Sequence, residues 1–155
     1  EDGGTGWQTD SAGAAGTVWE IGTSTLYEAH GGLNFAGTNL NGEFEMDANV
    51  VLRSPAIDLS QVPPEIGATL QYHQIVDTDG IGDFGTVTIL DATDDTILAV
   101  LDDFVSDFDL SWKSESYSLP VEALGKTVVI EFRFQSDNIE TFTGWYIDEV
   151  ELTMP

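Results

Sequence analysis

The chain has no cysteine and only four lysines and arginines in its 155 residues. The first absence excludes disulfide staples and thiolate metal sites. The second, set against 28 aspartates and glutamates, leaves a formal net charge of −24. Such a field repels nucleic acid and anionic membrane surfaces, and it attracts cations. It also holds the folded chain under self-repulsion unless salt screens it or bound metal neutralises it. Saline surroundings and a need for divalent cations are the two compatible readings. Histidine is nearly absent too: His30 and His73 are the whole supply, too few for a histidine-rich zinc centre. No Gly-x-Ser-x-Gly elbow and no glycine-rich phosphate loop before a helix occurs. No run of 18 apolar residues is present to cross a membrane as a helix. The chain opens at Glu1 without methionine or a signal-like apolar stretch, and is expected to be a mature or excised piece of something longer.

What is present is the material of strands. Hydrophobic residues make up 41%, and the length suits one domain, 1–155, with a core of useful size. In TVVIEFRFQ (127–135), Val128, Ile130, Phe132 and Phe134 fall on one face and Val129, Glu131, Arg133 and Gln135 on the other, the period of a half-buried antiparallel strand. Further strands are predicted at 17–21, 50–54, 69–76, 84–92, 96–101 and 112–119. Gly, Asp, Asn and Pro crowd the intervals, as in GGLNFAGTNLNG (31–42) and QVPPEIG (61–67). Only SLPVEALG (118–125) reads as a helical turn, with Pro120 opening it and Gly125 closing it. The first 16 residues, rich in Gly, Ala and Ser, read as a long loop or a loosely held end. The expected fold is all-β: a two-sheet antiparallel sandwich of the jelly-roll kind.

The acids need weighing one cluster at a time. DTDGIGD (77–83) starts like an EF-hand loop, but Ile81 and Thr88 stand where that loop needs ligands, so it is read as a solvated loop. DATDD (91–95) reads as a hairpin turn. LDDFVSDFDLSW (101–112) is either an acidic loop pinned by Phe104, Phe108 and Trp112 or an aromatic platform for a ligand. The closing segment GWYIDEVEL (144–152) is irregular for a strand. Its apolar set changes parity between Ile147 and Val150, with Asp148 at the break.

Several segments, in order, resemble the jelly-roll accessory modules, related to MAM domains, of secreted bacterial hydrolases such as immune-inhibitor-A-type metallopeptidases. They are EDGGTGW (1–7), AHGGLNFAGTNLNGEF (29–44), LRSPAIDLS (52–60), DFGTVTIL (83–90) and GWYIDEVEL. The resemblance implies that the two terminal strands lie side by side with a buried calcium near them. Asp148 would then be a ligand, re-aimed by a bulge. Glu1 or Asp2, carbonyls of the Gly31–Gly32 turn and Asn34 would complete an oxygen set of the kind calcium takes. His30 would make a structural hydrogen bond near the metal, and Trp145 and Tyr146 would serve packing. Glu149 stands where the family commonly has a second Asp, and it is not assigned to the metal. His73 is expected to point away from the core if Leu70 and Tyr72 face it.

A sandwich this small has little room for a deep catalytic cleft, so no enzyme activity is expected. The reading adopted is a calcium-stabilised, non-catalytic module that binds polysaccharide and is attached to parent enzyme domains. Such a module would be secreted or at a cell surface, in a marine or saline habitat. Trp7, Trp19, Tyr27, Phe35, Tyr117 and Phe142 are the loop or strand-end aromatics that would stack on sugar faces. The alternatives are an adhesion module, marked by an exposed apolar patch or a free edge strand, and a structural domain that packs on a catalytic parent.

Overall fold

The computed structural model of the protein describes residues 4–155. Eleven strands occur among them: β1 (Gln8–Ser11), β2 (Trp19–Gly22), β3 (Phe35–Thr38), β4 (Asn49–Arg53), β5 (Ile57–Asp58), β6 (Thr69–Asp77), β7 (Phe84–Asp91), β8 (Ile97–Val105), β9 (Phe108–Ser118), β10 (Thr127–Gln135) and β11 (Gly144–Thr153). One sheet runs β1-β4-β10-β7-β8, with β5 also on β10; the other runs β2-β3-β11-β6-β9. All pairings are antiparallel. The chain is thus an all-β, two-sheet sandwich. The turn read at 118–125 is a single 3₁₀ turn, Val121–Ala123, preceded by Pro120 and followed by Gly125 at φ +75°.

The alternation in β10 does what its period requires. Val128, Ile130, Phe132 and Phe134 are fully buried between the sheets, with Val50, Leu52, Leu70, Tyr72, Val87, Ile89, Trp145 and Ile147 around them. A smaller cluster lies on the outer face of the second sheet. There Phe35, Leu40, Ile75 and Tyr146 are covered by Tyr27, Ala29 and Trp112. The Trp112 indole N–H donates to the Glu28 carbonyl at 2.9 Å and ties that cover down. Strand β11 is therefore buried on both faces from Gly144 to Asp148, and a strand covered on both sides loses its polar alternation.

Three readings of the sequence need correction. The first 16 residues are not all loop: β1 pairs with β4 through Gln8–Ser11. The interval 31–42 contains β3, which pairs with β2 and β11. The stretch 101–112 is not a loop, because it holds the end of β8 and the start of β9. By contrast, DATDD does turn the β7–β8 hairpin, with Thr93 Oγ1 donating to Asp91 at 2.6 Å and Lys126 paired to Asp91 at 2.9 Å. Those contacts hold the Asp91 carboxyl well below its ordinary range, the Thr93 hydroxyl foremost.

Candidate functional site

The break of parity in β11 is a β-bulge. Asp148 pairs with His73 and Glu151 with Gln71, so Glu149 and Val150 together face the single Tyr72. Glu149 takes φ +50° to make the kink, a backbone region that non-glycine residues rarely enter. The bulge puts two neighbouring carboxylates to separate uses. Asp148, buried, accepts the Gly31 amide at 3.0 Å on one oxygen and the Glu149 amide at 2.8 Å on the other. Glu149 reaches His30 Nδ1 at 2.6 Å and His73 Nδ1 at 3.3 Å. The two imidazoles stack at 3.6 Å between centroids, 12° from parallel. Any side chain at position 31 would collide with the Glu149 carboxylate, since an added Cβ would sit 2.2 Å from Oε1.

Beside this bulge lies an open depression of about 680 Å³. Along its side β3 pairs with β11 at Tyr146 and Ile147, short of the bulge. Trp7, Ile21, Asn34 and the Gly31–Gly32 turn line it, together with Asp148, Glu149 and Val150. Trp7 is half-buried and stacked on Phe132, centroids 6.3 Å apart and planes 30° from parallel. A flat indole beside acids, an amide and peptide groups offers both an apolar face and directed hydrogen bonds.

Of the residues singled out as calcium ligands, Asp148, Gly31 and Asn34 share this depression, and Gly4 lines it too. Glu1 and Asp2 lie outside the described residues. The polar lining is one of oxygen donors, which suits a hard cation; Asp148 keeps a lone pair on each oxygen after accepting its two amides. Asp148 is not in the tight groups of three acids or histidines found among the described residues. Those are His30, His73 and Glu149, and Asp79, Asp83 and Asp137.

The six suspected aromatics separate. Trp7 lines the depression. Trp19 is buried, edge-on to Trp145 at 5.6 Å, and Phe35 is buried between Trp112 and Tyr146; both serve packing. Tyr27 bonds Thr143 through its hydroxyl and lies over Tyr146 at 4.7 Å. Tyr117 donates to Asp102 at 2.9 Å and stacks on Tyr72, and its hydroxyl pKa is raised by burial and by that carboxylate. Phe142 lies near the other end of β11, against Phe44 and Phe108. Sequence reasoning left Glu149 without a role; its signal was one of three acids around a parity break, with the two histidines far off in the chain.

No protein family and no curated protein matches the sequence. Solved structures match in fold. The K1 cleaved adhesin domain of Lys-gingipain from Porphyromonas gingivalis W83 is 20% identical, with TM-score 0.62 over 96% of this chain and 90% of that one. A structure of promiscuous carbohydrate-binding modules of the β-sandwich superfamily is 16% identical, with TM-score 0.64 over 99% of this chain and 59% of that one. A cyclase from Fischerella sp. TAU is 18% identical, with TM-score 0.64 over 97% and 85%. At such identities the likeness is one of architecture, and the same sandwich carries adhesion, sugar binding and catalysis.

Proposed function

We propose that the chain is a non-catalytic carbohydrate-binding module, and that the depression beside the β11 bulge is its sugar site. The observation that carries this reading is Trp7: a half-buried indole, held flat by Phe132, beside Asn34, Asp148 and Glu149. An apolar ring face next to a few fixed polar groups is what recognises a neutral sugar. The net charge of −24 disfavours sulfated or carboxylated glycans unless a cation bridges them. Similarity of fold to carbohydrate-binding modules and to an adhesin domain supports a binding role. Calcium belongs to the proposal as a structural ion at Asp148, with Asn34 and the carbonyls of Gly31 and Gly32 as further oxygens. An accessory module of a secreted or surface protein from a saline setting, of the MAM-like kind, fits the acidic, cysteine-free composition.

Adhesion is the second reading, and one observation favours it. Ile81, Phe108 and Ile139 are 83%, 72% and 67% exposed and flank a shared depression with Phe142, an apolar patch of the sort that meets a partner.

Affinity electrophoresis against neutral polysaccharides such as xylan, glucan and mannan separates the two. Retardation of the wild type and its loss in Trp7→Ala are expected, and loss in chelator would tie calcium to the site. No retardation, or retardation that Trp7→Ala leaves intact, would overturn the proposal.

A further inference from the structure

The second cluster of acids lies at the far end of β6, where the chain turns into β7. Asp79 shapes that turn: one of its oxygens accepts the amides of Ile81, Gly82 and Asp83 at 2.8, 3.0 and 3.2 Å. The turn drives Asp83 inward until nothing of it is exposed. Asp83 Oδ1 accepts the Asp137 amide at 3.0 Å, whereas its Oδ2 is buried with no hydrogen-bond partner. Asp137 completes the group from the loop after β10. Its carboxylate lies directly over Gly82, where an added Cβ would stand 1.8 Å from Oδ2. One carboxylate oxygen from each of the three aspartates falls within 4.8 Å of the other two.

A buried carboxylate oxygen without a partner is costly, and two further carboxylates beside it make it more so. The protein's own cations do not relieve it. Arg53, Lys113, Lys126 and Arg133 make their ion pairs with Asp95, Glu131, Asp107, Asp109 and Asp91 instead. An ion from solution would relieve it. Oxygens bound at roughly 2.3–2.6 Å to one calcium stand at most about 5 Å apart, which the observed spacing satisfies.

We propose that Asp79, Asp83 and Asp137 form a calcium site that clamps the β6–β7 loop to the loop after β10. Asp83 supplies the buried carboxylate, whose Oδ2 has no other partner, and Asp79 and Asp137 supply the outer ones. The ion fixes the two loops that present Ile81 and Ile139. This site is independent of the sugar reading and of the proposed ion at Asp148.

The test is calorimetric titration of the metal-free protein with calcium chloride, paired with thermal unfolding, on the wild type, Asp83→Asn, Asp137→Asn and Asp148→Asn. Asp83→Asn keeps the shape and removes the buried charge, so in chelator it folds at least as well as the wild type. Loss of one bound calcium and of its stabilisation in Asp83→Asn and Asp137→Asn, with that site retained in Asp148→Asn, is the result expected. No calcium bound by the wild type, or unchanged stoichiometry in both variants, would overturn the proposal. A response to magnesium and none to calcium would equally overturn it.

Discussion

Two buried aspartates at different places in the sandwich show how context decides what a carboxylate does. Asp148 has both oxygens taken by backbone amides, those of Gly31 and Glu149. Asp83 has one oxygen satisfied by the Asp137 amide and the other left alone among acids. The first is a structural acceptor that pins a loop to a bulged strand. The second is a charge that the fold buries without neutralising. The difference teaches that exposure alone ranks these sites wrongly: both are buried, and the count of partners per oxygen separates them.

Substitution at the two positions should therefore act in opposite directions in the absence of calcium. Asp148→Ala leaves two backbone amides without their acceptor and frees the 29–34 segment, so a loss of about 2–4 kcal/mol is expected by urea denaturation. Asp83→Asn in chelator should lose nothing or gain stability. A large loss in Asp83→Asn, or none in Asp148→Ala, would break the contrast.

The pH dependence sharpens it. Asp83 titrates near 6 in the folded chain against an ordinary 3.8, because burial and the nearby Asp79 and Asp137 disfavour its charge. Between those values the native state holds a proton that the unfolded state has released. The stability this group contributes is thus fully present below about pH 4 and is lost as pH rises through 6. Melting curves of metal-free wild type and Asp83→Asn from pH 4 to 7 should converge at the acid end, with the variant ahead at neutral pH. Parallel curves would contradict the assignment.

Gly82→Ala is a smaller perturbation aimed at the same cluster. The new methyl displaces the Asp137 carboxylate, so calcium affinity should weaken by about tenfold with little change in the metal-free stability. The smallest expected effect is at the rim of the other site. Glu149→Gln keeps a hydrogen-bonding group beside His30 and His73 but removes an exposed charge, and should cost about 0.5–1 kcal/mol in denaturation.

The same contrast explains what the sequence made legible. β10 could be read because its inner face is buried and its outer face is not, so period and burial agree. Asp148 could be read because it breaks a parity that its own neighbours establish, a local signal. β1 carries no apolar residue, and all four of its residues are exposed; it is held by backbone pairing to β4, which leaves no pattern in side chains. The Asp83 cluster was hidden for another reason. Taken alone, DTDGIGD fails as an EF-hand, and the acid that completes the group, Asp137, comes from a loop four strands further along the chain, with no spacing rule to link them. Likewise His30, His73 and Glu149 meet only because β11 bulges beside β6.

The account's central claim is that sugar is read beside Trp7, and the indole N–H resonances test it most directly. The four tryptophans occupy three settings: Trp7 in the depression, Trp19 and Trp145 in the core, and Trp112 in the cover over the outer face of the second sheet. Titration of the calcium-loaded, ¹⁵N-labelled protein with a neutral oligosaccharide that retards it should move the Trp7 signal and leave the other three in place. A Trp7 signal that stays fixed while the protein binds sugar would contradict the claim and move the site elsewhere on the sandwich.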